Sequence, residues 1–259
     1  MLADDGEEIV RSSDVKPFTD PALRSRRSRT KLAAKMYAAG LLKPLQKIRG
    51  HVSPFTVVKK VEDGVVTEQR LVLDQRRDNL RWRKPPWAPM ASPGLFPFVR
   101  VPETAKVRCL VGDLPDMYWT LLLSTLFAEF FCLEEVVLSE LSHALIRDYG
   151  IDPGFKNEDV AVGMQVPLMG WNWAVFLAQT ALEDILEGGL SVMKASTRLQ
   201  YKVQVPQFGP DCSLLHWEYV DDVGVMLIEE LHGATAEEVG TDIRTMLQKL
   251  GLGFHKDAY

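Results

Sequence analysis

The chain lacks a long apolar run and a start typical of exported proteins. Its most apolar stretch, residues 117–133, is interrupted by two threonines, a serine and a glutamate, whereas a membrane-spanning helix needs about 20 predominantly apolar residues. No basic start followed by an apolar core opens the sequence, so no secretion signal is predicted. With 46% hydrophobic residues, the chain is expected to fold around a large core outside any membrane.

Cysteine is also scarce. Cys109, Cys132 and Cys212 show neither a paired spacing nor a zinc-ligand pattern. Because disulfide frameworks belong to oxidising compartments, these cysteines predict a reducing, intracellular environment, without distinguishing cytoplasm from nucleus. We expect all three thiols to be buried.

The net charge of the whole chain argues against nucleic-acid binding, but the charges are distributed unevenly along the sequence. It is −5 overall, but residues 1–110 hold 22 basic and 12 acidic side chains, and the remainder holds 8 and 23. This asymmetry predicts a basic lobe that faces a polyanion and an acidic lobe that holds metal ions. The alternative is a basic N-terminal tail with acidic surface helices. That tail would contain Arg24, Arg26, Arg27, Arg29, Lys31 and Lys35.

Patterns along the chain predict three segments and an α+β fold. Residues 1–27 are predicted to be a flexible leader, 28–105 a first subdomain with a proline-rich connection at 84–102, and 106–259 a second subdomain. Helices are predicted at about 28–42, 171–186 and 235–250, with 117–148 mainly helical. Strands are predicted at 53–60, 69–74, 106–112 and about 160–162. The order indicates an antiparallel sheet backed by helices.

An acidic hairpin is the most informative local feature. Tyr219-Val220-Asp221-Asp222 lies between two apolar, β-branched runs, which predicts two adjacent carboxylates at a hairpin tip. The alternative is a solvated Asp-Asp turn. Two-metal phosphoryl transfer requires carboxylates from different elements around ions about 4 Å apart. Asp113, at the end of a predicted strand, would complete such a set on an adjacent strand, with Asp116 and Asp211 as competing carboxylates.

Five segments in order, within residues 38–256, resemble the fingers and palm motifs of reverse transcriptases of the retrotransposon type. Together they are more specific than any one alone. They are Ser53-Pro54-Phe55-Thr56-Val57-Val58-Lys59-Lys60, Arg70-Leu71-Val72-Leu73-Asp74-Gln75-Arg76-Arg77-Asp78-Asn79, Asp113-Leu114-Pro115-Asp116-Met117-Tyr118, Pro167-Leu168-Met169-Gly170-Trp171 and Tyr219-Val220-Asp221-Asp222. The resemblance implies a polymerase palm with a fingers subdomain, and fingers segments interleaved at about 120–160.

The resemblance also implies the metal ligands and one catalytic proton donor. Asp113, Asp221 and Asp222 would bind two Mg²⁺ ions, or Mn²⁺ in their place, and the backbone carbonyl of Leu114 would complete one metal shell. Lys256 matches a lysine proposed to protonate the departing pyrophosphate; the alternative is a solvated lysine near the end of the sequence.

The nucleotide site implied by the resemblance draws on several segments. Cations on the fingers strands would bind the triphosphate, Tyr118 would exclude a ribose 2′-hydroxyl, and the loop at Met169 and Gly170 would shape the base-pair pocket. The proline of that loop, Pro167, stands one position upstream of its usual place. The full set is Lys59, with Lys60 as its rival, Arg70, Asp116, Tyr118, Met169 and Gly170.

The implied activity is RNA-directed DNA polymerisation, a nucleotidyltransferase reaction. Its partners would be dNTPs and an RNA or DNA template-primer. The sequence ends after the palm motifs, so the thumb is expected to be absent and to be supplied by a partner protein or a further C-terminal region. Two alternatives remain: an inactive retroelement remnant that binds nucleic acid or protein, and a palm-type nucleotide cyclase.

Overall fold

The chain forms two compact units in a computed structural model that describes residues 1–18 and 20–258, except for the side chains of Ser12 and of residues 256–258. Unit 1 comprises Met1–Pro85 and Leu121–Ala174, and unit 2 comprises Pro86–Thr120 and the chain from Val175 onward. None of the described helices combines the length and apolar character required to cross a membrane.

Nine strands and eight α-helices are described in these residues. The strands are β1 (Leu42–Leu45), β2 (His51–Glu62), β3 (Val65–Asp74), β4 (Val107–Asp113), β5 (Cys132–Leu133), β6 (Ala161–Met164), β7 (Leu214–Tyr219), β8 (Asp222–Ile228) and β9 (His255–Ala258). The helices are α1 (Gly6–Ser12), α2 (Arg26–Ala38), α3 (Met117–Thr120), α4 (Thr125–Ala128), α5 (Leu138–Tyr149), α6 (Ala174–Gly189), α7 (Glu229–His232) and α8 (Ala236–Lys249). The predicted α+β class is confirmed.

Unit 1 is built on a mixed sheet with the strand order β1-β6-β5-β2-β3. Strands β2 and β5 are parallel, and the other neighbours are antiparallel. An aromatic cluster forms its core around Trp82, whose ring centroid lies 5.1 Å from that of Phe130 and 5.3 Å from that of Trp171. Edge-to-face contacts of this kind add to the stabilisation from burial alone.

Unit 2 is built on an antiparallel sheet with the strand order β7-β8-β4-β9. Helix α8, which lies where the sequence predicts a helix, begins with a capping box: Thr235 Oγ1 accepts a hydrogen bond from the Glu238 N–H, and Glu238 accepts one from the Thr235 N–H. Its amphipathic face buries Val239, Ile243 and Leu247. Helix α8 packs against β4 of this sheet.

The prediction of mainly helical structure over 117–148 holds for only part of the segment. Helices α3 and α4 have four residues each, and strand β5 follows them before α5 begins. The apolar residues Phe131 and Cys132 are fully buried in unit 1, where Cys132 pairs with both His51 and Gly163. Tertiary strand pairing therefore decides the conformation of a segment whose apolar run is compatible with a helix.

Two further expectations differ from the structure. Residues 1–20 contain helix α1, and the Arg81 guanidinium, which is 5% exposed, forms an ion pair with Glu7. A buried cation requires such a partner, which gives the acidic leader a docking point. Of the three thiols, only that of Cys132 is buried, whereas Cys109 is exposed and Cys212 partly buried.

Candidate active site

Two of the three candidate carboxylates lie on directly paired residues. In the β4–β8 ladder Asp113 stands opposite Asp222, and the Leu114 N–H donates a 2.7 Å hydrogen bond to the Asp221 carbonyl. Residues that face each other across an antiparallel pair project from the same face of the sheet. The strand register therefore brings Asp113 to the hairpin tip, more than one hundred positions away in the sequence.

The hairpin reverses direction in two residues, Val220 and Asp221, because Tyr219 pairs with Asp222. Val220 has a φ of +62°, whereas Asp221 is not among the residues with positive φ. A positive φ at only the first central position is typical of a type II′ turn, which favours glycine there. For a β-branched residue this conformation costs about 1–3 kcal/mol and persists only where the surroundings enforce it.

Gln179, on helix α6, is the residue that holds this turn. Its side-chain Oε1 accepts a 2.8 Å hydrogen bond from the Val220 N–H, and its Nε2 donates to the Glu218 carbonyl at 3.2 Å and to Glu183 Oε1 at 2.8 Å. Gln179 is 1% exposed. A buried amide with both ends satisfied fixes the tip more firmly than a solvated one. Helix periodicity marks this position as buried, but no sequence motif identified it as a functional residue.

A buried acid–base pair lies on β7, just before the turn. His216 Nδ1 is 2.7 Å from Glu218 Oε1, and His216 Nε2 is 3.0 Å from the Lys194 carbonyl. A carbonyl oxygen can only accept a hydrogen bond, so Nε2 is the donor in its contact with Lys194. The contact between Nδ1 and Oε1 requires a second proton, which either Nδ1 or Oε1 carries. Both side chains are at most 1% exposed. The contact with the Lys194 carbonyl thus ties the strand that leads to Asp221 to the segment before it.

Two glycines beside the carboxylates are covered by aromatic rings. Gly224 stands opposite Trp217 on β7, and a Cβ on Gly224 would overlap the Trp217 indole. A Cβ on Gly112 would likewise overlap the Phe254 ring. Glycine in a strand often marks close approach of another group, and here it lets rings pack on the sheet next to Asp113 and Asp222.

Tyr118 and Asp116 follow β4 in the same unit. Burial raises the pKa of Tyr118, and the charge of Asp221 raises it further, so the phenol lies within electrostatic range of that carboxylate. Asp116 is exposed, with a φ of +58°. Asp211, the other competing carboxylate, lies in a separate turn closed by hydrogen bonds between Gly209 and Cys212.

Strand β9 brings the C-terminal candidate segment beside β4. His255 pairs with Asp113, and Lys256 is the next residue of the strand. The backbone of Lys256 is thus adjacent to the carboxylate end of the sheet. Its side chain lies outside the described residues, so the catalytic assignment of Lys256 stays a prediction.

The donor atoms present agree with Mg²⁺, which prefers carboxylate and carbonyl oxygens and retains several waters. Asp113 and Asp222 are paired across the ladder and Asp221 adjoins them. Within the described residues, however, no group of three or more His, Cys, Asp or Glu side chains is arranged as a metal-binding cluster. The fit therefore rests on the donor chemistry and the register of the backbone, and it uses no ligand geometry.

The triphosphate-binding candidates lie on the β2–β3 hairpin of unit 1. Lys59 is the extra residue of a β-bulge, and its ammonium is 2.5 Å from Glu68 Oε1. Lys60 pairs with Glu62 at 2.6 Å, and Arg70 stands opposite Val57. A bulge re-aims the side chain it carries. The Lys59 hydrogen bond lowers the pKa of Glu68, so this exposed face already pairs cations with carboxylates.

The loop predicted to shape the base-pair pocket is held by Asn79. The Asn79 Nδ2 donates to the Gly170 carbonyl at 2.8 Å, and its Oδ1 accepts from the Asn172 N–H at 3.0 Å. Gly170 has a φ of +110°, and a Cβ there would lie 2.9 Å from the Leu73 carbonyl oxygen. A side chain at this position would therefore press against the end of β3, and the role of Gly170 in a base-pair pocket stays a prediction. Met169, beside it, is partly buried.

A cavity of about 560 Å³ opens between this loop and the β2–β3 hairpin. Asp74 lies in its wall, where hydrogen bonds from the Arg76 guanidinium and from the Phe18 N–H lower the pKa of its carboxyl to about 2. The sequence contained Asp74 and Arg76 within one motif but gave no reason to single them out. The lining residues are Phe18, Phe55, Thr56, Val57, Val72, Leu73, Asp74, Gln75, Arg76 and Gly170.

Comparison with protein-family models and with curated proteins finds no match for this chain.

Proposed function

We propose that this chain is the fingers and palm region of a retroelement-type RNA-directed DNA polymerase. The observation that carries the proposal is the register that sets Asp113 opposite Asp222 beside a strained turn containing Asp221. Strained backbone conformations occur most often at functional sites, and an ordinary solvated Asp-Asp turn does not require one.

The chemistry proposed is transfer of a nucleotidyl group to a primer 3′-hydroxyl. Asp113, Asp221 and Asp222 would hold divalent cations, which supply charge neutralisation for the attacking and departing oxygens. Gln179 keeps the Val220 turn in place through its hydrogen bond to the Val220 N–H. The three acids can then keep their positions as charge develops, and such preorganisation is a large part of catalysis.

In unit 1 the proposal assigns triphosphate binding to the cations of the β2–β3 hairpin. Lys59, Lys60 and Arg70 would bind the triphosphate, because cations form strong hydrogen bonds with phosphate oxygens. Their exposure on the hairpin leaves them accessible to an anionic ligand, which would replace Glu68 as the partner of Lys59. Tyr118, within electrostatic range of Asp221, would pack against the sugar.

A primer-extension assay tests the proposal. The wild-type chain is incubated with a labelled primer on an RNA or DNA template, dNTPs and Mg²⁺, beside the Asp221→Asn and Asp222→Asn variants. The Asp211→Asn variant is the matched control, because it removes an exposed carboxylate from another turn of the same unit. We expect extension by the wild type and the control, and a loss of at least about 100-fold in each site variant.

Equal incorporation by the wild type and both site variants would refute the activity. Thermal stabilisation by Mg²⁺ with dNTP is an independent measurement, because a ligand that binds only the folded state raises its melting temperature. We expect this stabilisation in the wild type and its loss in Asp222→Asn. Nucleic-acid binding without either response would instead identify an inactive binding module.

A further inference from the structure

Two large aromatic side chains and a lysine form an exposed group in unit 2. Trp87 is 59% and Tyr201 48% exposed, and their ring centroids lie 6.1 Å apart at an interplanar angle of 71°. Lys202 Nζ lies 5.3 Å from the Trp87 centroid and 5.6 Å from the Tyr201 centroid. We call Trp87, Tyr201 and Lys202 the aromatic platform. Nothing in the proposed catalytic chemistry uses it.

The platform is anchored by the structure beneath it. The Tyr201 N–H donates a 3.2 Å hydrogen bond to the Met90 carbonyl, which joins the segment of Tyr201 to that of Trp87. Gln207 joins the same two segments again, because it accepts from the Arg100 N–H at 2.7 Å and donates to the Phe98 carbonyl at 3.1 Å. The exposed rings therefore stand on a fixed scaffold.

The backbone of Lys202 in the aromatic platform has an unusual conformation. Lys202 has a φ of +64°, which non-glycine residues rarely adopt. This conformation accompanies the placement of the ammonium group near both rings, where cation–π attraction contributes about 0.5–1 kcal/mol at an exposed site.

The charge around the platform contrasts with the rest of its unit. Residues 86–102 and 190–210 contain four basic and no acidic side chains, although the chain from 111 onward has 8 basic and 23 acidic ones. Arg198 is neutralised by Glu183 and Glu187 at 2.8 and 3.0 Å. Lys194, Lys202 and Arg100 are exposed. These two segments are basic within an otherwise acidic unit, which favours an anionic ligand at Lys202.

We propose that the aromatic platform binds an unpaired stretch of single-stranded nucleic acid, with a base stacked on Trp87 or Tyr201 and a phosphate beside Lys202. Flat rings with interspersed cations match a ligand that alternates flat bases with phosphates, and stacking tolerates any base. The segment just before Tyr201 is tied to β7, since Arg198 forms an isolated bridge with His216 and the Leu199 N–H donates to the His216 carbonyl at 2.7 Å. This binding goes beyond the proposed function and stands without catalysis.

The test measures binding of the whole chain to labelled oligonucleotides by fluorescence anisotropy, with EDTA present and no dNTP. The probes are oligo(dT) and oligo(rU) of about 12 nucleotides, within the range of site sizes for single-strand binding. A strand of equal length made of abasic sites carries the same phosphates without bases. The variants are Trp87→Ala, Trp87→Phe and Lys202→Asn. Tyr149→Ala removes an exposed aromatic of unit 1 as the control.

We expect Trp87→Ala to weaken binding about 5- to 50-fold and Trp87→Phe less than about 3-fold, because phenylalanine retains a stacking face. Lys202→Asn keeps a residue that tolerates positive φ and should weaken binding about 2- to 5-fold, with a smaller dependence on salt. Tyr149→Ala should bind like the wild type. The abasic strand should bind at least about 5-fold more weakly, and the comparison of oligo(dT) with oligo(rU) identifies whether DNA or RNA is preferred.

The inference is overturned if Trp87→Ala, shown to be folded by its melting temperature and circular dichroism, binds as tightly as the wild type. It is also overturned if the abasic strand binds as tightly as the strands with bases. The Asp222→Asn variant separates this proposal from catalysis, since it should keep full affinity in EDTA whether or not the wild type extends primers. Loss of primer extension alone thus leaves the platform intact.

Discussion

The β2–β3 hairpin of unit 1 and the β7–β8 hairpin of unit 2 both reverse the chain in two residues, but they do so in opposite surroundings. The first turn is Asp63-Gly64, with φ values of +49° and +77°, and the strand residues next to it are exposed. The second is Val220-Asp221, between strands that are mostly buried. The first contains residues suited to its conformation, whereas the second places valine where glycine is favoured.

The difference shows which turn depends on the rest of the molecule. An Asp-Gly turn reaches positive φ at little steric cost, so its conformation is set locally. The Val220 turn is held by Gln179 from a helix about 40 residues earlier in the sequence. A turn that is fixed from outside keeps carboxylates at defined positions, which is what the proposed chemistry requires. Four predictions test this comparison.

The largest effect is expected from Gly224→Ala. The added methyl group would overlap the Trp217 indole, a rigid ring held within the sheet, so we expect a loss of about 2–4 kcal/mol in the free energy of unfolding. The matched change in the exposed hairpin, Gly64→Ala, meets no atom and should cost only about 1 kcal/mol through its positive φ. Urea unfolding of both variants measures the difference. Equal losses would contradict the claim that the second hairpin is the more constrained.

Gln179→Leu tests the external support of the second turn. It removes the acceptor of the Val220 N–H and the donor to the Glu218 carbonyl, so we expect a loss of about 2–3 kcal/mol in unfolding free energy, together with reduced primer extension. Gln46→Leu is the control, because Gln46 bonds only Glu158 among the hydrogen bonds described and lies at the surface. Its effect should stay within about 0.5 kcal/mol. Similar losses of unfolding free energy in the two leucine variants would contradict the role assigned to Gln179.

A pH-dependent contribution is expected at the base of the first hairpin. Hydrogen bonding to Arg76 lowers the pKa of Asp74 from 3.8 to about 2, so ionised Asp74 stabilises the fold above pH 3.8 and this stabilisation disappears as the pH falls through about 2. Because Arg76 is 65% exposed, solvent screening reduces the expected contribution to about 1–2 kcal/mol. Between pH 5 and pH 2, unfolding free energies should fall by that much more in the wild type than in Asp74→Asn. Parallel pH profiles would exclude this linkage.

The smallest effect is expected from Val220→Gly. Relief of the strained φ should offset the loss of the partly buried side chain, which leaves the unfolding free energy within about 0.5 kcal/mol of the wild type. The same replacement at Val66, which is 44% exposed in β3 and has no positive φ, should cost about 1 kcal/mol. Thermal and urea unfolding compare the two. A large destabilisation at Val220 would show that its side chain, and not only its backbone, supports the tip.

Much of the fold followed from local patterns, and the exceptions share a cause. Four features were predicted from the sequence: both hairpins, strand β4 ending at Asp113 and the capped helix α8. Their turn residues, apolar periodicity or capping residues indicate them locally. Strand β5, inside the segment 117–148 that was predicted to be mainly helical, was missed because its apolar residues suit a helix as well as a buried strand. In the candidate site, too, local patterns revealed some residues and missed others. Its acids were found from their positions at element ends, whereas Gln179 and His216 lie within regular elements and show no motif.

The amino-acid order by itself determined the acidic turn, the Asp at the end of an apolar strand, the glycine of the loop at 167–171 and the split of charge between the two halves of the chain. These depend on backbone preferences and side-chain chemistry over a few residues. Only the tertiary structure decided that Asp113 faces Asp222, that Gln179 imposes a strained φ on Val220, and that Trp87 meets Tyr201. Those outcomes depend on strand register and packing between residues far apart in the chain, which no local pattern specifies.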